Sequence, residues 1–114
     1  MKVILFLDDK RKASSFIDMR SNIVRQATTY TEFTEELLDL YCLFGKVDEV
    51  WFDHDLGDKS GNGYDCAKYL VEFCEENSMK FPTYYIQSAN PVGKANIDSY
   101  IKSYLKSLSL WILI

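Results

Sequence analysis

Two short apolar runs that end in aspartates constrain this chain more than any other feature. Val3 to Leu7 leads into Asp8-Asp9, and Val50 to Phe52 leads into Asp53-His54-Asp55-Leu56-Gly57. A short, wholly apolar run suits a strand buried on both faces, the signature of a parallel sheet. Ligand sites in open parallel sheets lie beyond the carboxyl ends of the strands. Two strands ending in aspartates therefore predict one acidic pocket, and His54, the only histidine, falls inside it.

The rest of the chain alternates strand and helix signals. Lys2 to Leu7 reads as the first strand, Ala13 to Met19 as a short helix, and Asn22 to Ala27 as a less apolar edge strand. Thr29 and Glu32 stand at capping-box spacing ahead of a helix from Tyr30. Its apolar positions Phe33, Leu37, Leu40, Tyr41 and Phe44 share one face, and Gly45 is its stop. Val47 to Asp53 is the third strand, and the turn-rich stretch 57–63 leads to a helix burying Tyr64, Ala67, Leu70, Val71 and Cys74. Phe81 to Gln87 reads as the fourth strand, with Pro82 where no ladder donor is needed. A helix from Pro91 to Ser107 buries Ile97, Ile101, Tyr104 and Leu108, and Leu110 to Ile114 is expected to close as a fifth strand. This order predicts a single α/β domain over residues 1–114, with a doubly wound, flavodoxin-like, five-stranded parallel sheet. The expected strand order is 2-1-3-4-5, with no final helix, and its switch point lies between strands one and three, where the aspartates end.

Composition narrows the function classes. A chain of 114 residues with 47% hydrophobic and 15% aromatic content can build one packed core, and is not disordered. A net charge of −4 argues against binding to a nucleic acid duplex, which relies on basic surface. Lys10, Arg11 and Lys12 read as a solvated loop. Five apolar residues after Met1-Lys2 are too few for a signal peptide, and no run reaches membrane-spanning length. A cytoplasmic location is the expectation. Cys42, Cys66 and Cys74 lack CxxC spacing and are expected to fill core positions.

The candidate chemistry follows from residue types. Asp8, Asp9, Asp53 and Asp55 offer several hard oxygen ligands without sulfur, a set that suits Mg²⁺ or Mn²⁺. Crowded carboxylates raise one another's pKa unless a cation neutralises them. In an extended segment Asp53 and Asp55 point one way and His54 the other, so His54 either supports the loop or faces the pocket. The second constellation is Gln87-Ser88-Ala89-Asn90-Pro91-Val92-Gly93-Lys94. Asn90 suits a helix N-cap and Pro91 the first helical position. The N–H groups of Val92, Gly93 and Lys94 then offer an anion site beside the carboxylates, with Ser88 and Lys94 adding a hydroxyl and a charge. An ordinary capped helix is the plain alternative.

These residues resemble the response-regulator receiver superfamily. Asp8-Asp9 matches its metal-binding acidic pair, Asp53 its phosphoacceptor, and Ser88-Ala89 its hydroxyl residue after the fourth strand. The chain is more closely similar to the cyclic-phosphate-processing receiver-like family of bacteria and phages. That likeness rests on Leu7-Asp8-Asp9 with Arg11, Asp53-His54-Asp55-Leu56-Gly57, Gly63-Tyr64-Asp65, and Ser88 to Ile97. It spans about residues 1 to 108. Two departures stand out: the receiver lysine after the fifth strand has no counterpart, and Gln87 stands where the closer family tends to have histidine.

The resemblance implies a domain that binds a phosphorylated small molecule, a cyclic phosphate or nucleotide, through a divalent cation. Asp8, Asp9 and Asp53 are the expected metal ligands, and Ser88, Asn90, Gly93, Lys94 and Arg11 the expected phosphate ligands. If the site hydrolyses its ligand, Asp53, Asp55 and His54 are the catalytic candidates, with Asp55 or His54 activating water. A second reading is a non-catalytic interaction protein on the receiver scaffold, such as a phage factor modulating a host protein. It would use a flank of the sheet for a partner or a homodimer. A third, a conventional phosphoacceptor, lacks the lysine.

Overall fold

The computed structural model describes residues 1–57 and 61–112 of the chain, the last three of them as backbone alone. Four strands and three helices follow in the order β1 (Val3–Leu7), β2 (Ile23–Ala27), α1 (Tyr30–Phe44), β3 (Glu49–Phe52), α2 (Gly63–Asn77), β4 (Thr83–Ile86) and α3 (Pro91–Ile112). The sheet is wholly parallel, in the order β2-β1-β3-β4. β1 and β3 are central neighbours, as the switch-point argument requires.

The helix ends obey the capping chemistry written in the sequence. Thr29 Oγ1 accepts from the Glu32 N–H at 3.1 Å, and the Glu32 carboxylate takes the Thr28 N–H and hydroxyl at 2.8 and 2.6 Å. Gly45 ends α1 with φ at +72°, a left-handed conformation that glycine reaches at little cost. α2 opens on a capping box in which Asn62 and Asp65 exchange bonds at 2.9 and 3.1 Å. Asn90 Oδ1 caps α3 through the Gly93 N–H, with Pro91 as the first helical residue.

Four expectations are corrected. Leu110 to Ile112 do not begin a fifth strand; they continue α3. Leu113 and Ile114 lie outside the described residues. The helix expected over Ala13 to Met19 is one 3-10 turn, Ala13–Ser15. Asp18 breaks it by accepting the Arg20 N–H and the Ser21 hydroxyl, a local alternative to helical bonding.

The sheet is also not doubly wound among the described residues. Val3, Leu5, Leu7, Val50 and Phe52 share one core with Phe33 and Leu37 of α1, Leu70 of α2, and Ile97 and Ile101 of α3. All three helices thus cover one face. On the opposite face, toward which Phe6, Trp51 and Tyr85 alternate, lies the β1–β2 loop, whose Phe16 stacks on Phe6 at 5.9 Å. Finally, Cys66 and Cys74 are buried as expected, whereas Cys42 is exposed on α1. No described helix is long and apolar enough to cross a membrane.

Candidate metal and phosphate site

β1 and β3 deliver Asp8 and Asp53 side by side at their carboxyl ends, both buried, at 1% and 7% exposure. Asp9 completes a cluster in which one carboxylate oxygen from each residue lies within 4.8 Å of the others. Asp8 Oδ1 accepts the N–H groups of Lys10 and Arg11, both at 2.9 Å, so the turn after β1 wraps around its own aspartate. Asp9 Oδ2 accepts the Gly57 N–H at 2.8 Å and ties in the loop after β3. Its other oxygen is buried and has no hydrogen-bond partner among the described residues.

Among the described residues, one positive charge stands over the cluster. Arg11 Nη1 lies 3.4 Å from Asp8 Oδ2 and donates to the Gln87 carbonyl at 2.8 Å, spanning the ends of β1 and β4. Three carboxylates still face one guanidinium. Burial first, and then the charges of Asp8 and Asp9, push the Asp53 carboxyl up to about 6. Arg11 and the Asp55 N–H pull the other way.

Asp55 and His54 turn elsewhere. The chain leaves its extended form after Phe52, and Asp55 stays outside the carboxylate cluster. His54 Nδ1 lies 2.8 Å from Asp55 Oδ1, which also accepts from Asn90 Nδ2 at 3.4 Å. These two bonds hold the exposed Asp55 carboxyl below the usual carboxylate range. The His54 ring lies flat against Gly93, where a side chain would overlap it. His54 and Asp55 therefore join the β3 loop to the start of α3.

The start of α3 is less open to an anion than its sequence suggests. The Gly93 N–H is taken by Asn90 Oδ1 and the Lys94 N–H by the Asn90 carbonyl. Ser88 Oγ accepts the Asn90 N–H at 3.1 Å. Lys94 lines a groove of about 590 Å³ along β4, with Tyr84, Tyr85, Ile86 and Asp98.

Two supporting residues went unread in the sequence. Gln26 of β2 donates to the Asp8 and Arg11 carbonyls at 3.1 and 2.7 Å and accepts the Ala13 N–H at 3.0 Å, bracing the Asp8–Arg11 loop. A lone glutamine in an edge strand carries no signal of this. Gly63 donates to the His54 carbonyl at 2.9 Å and packs so close to the Asp53 carbonyl that a Cβ would collide with it. Its place in the Gly63-Tyr64-Asp65 motif was the available clue.

No curated protein and no solved structure matches the chain. Residues 3–103 match the family model of the cyclic-phosphate processing receiver domain. With its acidic strand ends and its receiver order of strands, the chain belongs to that family.

Proposed function

We propose that this domain binds a phosphorylated small molecule, a cyclic phosphate or nucleotide, through a divalent cation held by Asp8, Asp9 and Asp53. The observation that carries the reading is the three-carboxylate cluster, with Asp8 and Asp53 buried, one Asp9 oxygen without a partner among the described residues, and Asp53 driven up to about 6. Crowded, partly desolvated oxygens of this kind are what Mg²⁺ or Mn²⁺ relieves, and such an ion also takes phosphate oxygens as ligands. Arg11 and the Ser88 hydroxyl are the protein groups offered to the phosphate. Lys94 adds positive charge from the outer side of α3. Asn90, Gly93, His54 and Asp55 position the loop around the phosphate, through the bonds and packing that join them.

Calorimetry with Mn²⁺ tests the reading, first alone and then with 2′,3′-cyclic AMP. Stoichiometric metal binding that is lost in Asp53→Ala, and metal-dependent uptake of the cyclic phosphate, are the expected results. A wild-type protein that takes up no Mn²⁺ would overturn it.

A further inference from the structure

The sheet face that no described helix covers bears an aromatic row, in register with the strand ends that carry the carboxylates. Phe6 pairs with Trp51 across β1 and β3, and Trp51 pairs with Tyr85 across β3 and β4. Two residues further along the chain, one residue past the end of each strand, stand Asp8, Asp53 and Gln87, so the row runs up to the edge of the sheet that carries the carboxylates. The Trp51 and Tyr85 ring centroids lie 4.5 Å apart with the planes tilted by 34°, and Phe16 leans in from the β1–β2 loop, 6.0 Å from Trp51. Phe6 is fully covered, but Phe16 and Tyr85 are 44% and 41% exposed, so the row presents ring surface to solvent.

The row is also held in place. Trp51 Nε1 donates to the buried Glu49 carboxylate at 3.2 Å, and Lys2 Nζ pairs with the other oxygen at 2.7 Å. An indole fixed in this way pays little entropy when a flat ring settles on it.

The geometry points to a stacking subsite at Trp51 and Tyr85, with Phe16 at its rim, for the base of a nucleotide whose phosphate sits at the carboxylate cluster. This rests on the phosphate reading above and adds the class of ligand. Two residues of parallel strand span roughly 6.6 Å, which matches the reach from a nucleotide's phosphate to its base. Base stacking is sequence-tolerant, because every base offers a π-face, and it changes affinity by on the order of tenfold per base.

Calorimetry in Mg²⁺ with AMP and with ribose 5-phosphate, which lacks the base, tests this. Wild-type protein should prefer AMP by about tenfold. Tyr85→Ser, at an exposed edge position, should bring that ratio close to one, and Trp51→Phe should lower it while keeping a ring in place. Metal-dependent binding of ribose 5-phosphate with no advantage for AMP would overturn the platform alone. A preference for AMP that survives both substitutions would also overturn it. Absence of metal-dependent binding to either probe would overturn the platform together with the phosphate reading.

Discussion

Gly93 lies against the imidazole of His54, so close that a Cβ there would stand 2.6 Å from both Cδ2 and Nδ1. The glycine is buried in the first turn of α3, and the histidine is only 16% exposed at its side chain. Gly93→Ala should therefore push the ring aside and cost about 1–3 kcal/mol, the usual penalty for overpacking. Because the two residues touch, the cost should shrink in a His54→Ala background. Urea denaturation of the four proteins measures the coupling, and additive costs would refute the contact as the cause.

Asp53 makes stability depend on pH in an unusual direction. Its folded-state pKa, about 6, lies above the ordinary 3.8. The fold therefore binds the proton more tightly than the unfolded chain does, and stability falls as pH rises from 3.8 to about 6, then levels off. At about 1.4 kcal/mol per pKa unit, the ionised group costs about 2–3 kcal/mol at pH 7. Asp53→Asn should recover that amount at pH 7 and almost none at pH 3.5. Thermal or urea unfolding across this range checks it, and a variant less stable than wild type at pH 7 would contradict the argument.

Arg11 is the charge that keeps Asp53 from rising further. Arg11→Gln keeps a donor for the Gln87 carbonyl and removes the charge. Carboxyl carbon NMR should then show Asp53 titrating above its wild-type midpoint of about 6. Phosphate affinity in Mg²⁺ should also drop by roughly tenfold to a hundredfold, the range of a lost charge-assisted contact. An unmoved midpoint would mean that the guanidinium is too solvated to be felt.

What the sequence disclosed depended on whether a feature was local. The strand ends at Asp8 and Asp53 were legible because an apolar run followed by a carboxylate is a one-dimensional pattern, and the Asn90 cap and the Gly45 stop are local in the same sense. The single-sided sheet was not legible. Nothing in Ser14-Ser15 or Asp18 alone announces that the connection from β1 to β2 collapses to one turn, and Phe6 and Ile4 are as buried under a loop as they would be under a helix. The apolar run Leu110 to Ile112 fits helix and strand equally well, and continuity with α3 decided it. Tertiary contacts such as Gln26 to Asp8 join residues far apart in the chain and leave no trace in spacing.

The cysteines separate burial from hydropathy in a way that a thiol reagent can read. Cys66 and Cys74 are buried in α2, and burial pushes the Cys74 thiol up to about 12 and the Cys66 thiol higher still. Neither holds appreciable thiolate at pH 8, and neither is reachable without opening the helical layer. Cys42 lies on the solvent side of α1, one residue past the half-buried Tyr41. Native protein treated with Ellman's reagent at pH 8 should thus release one equivalent of thiolate quickly, and guanidinium should expose two more. Cys42→Ser should abolish the fast phase and leave the slow one. A fast phase of two or three equivalents would show that α2 opens readily and that the packing around Leu70 and Ile97 is loose.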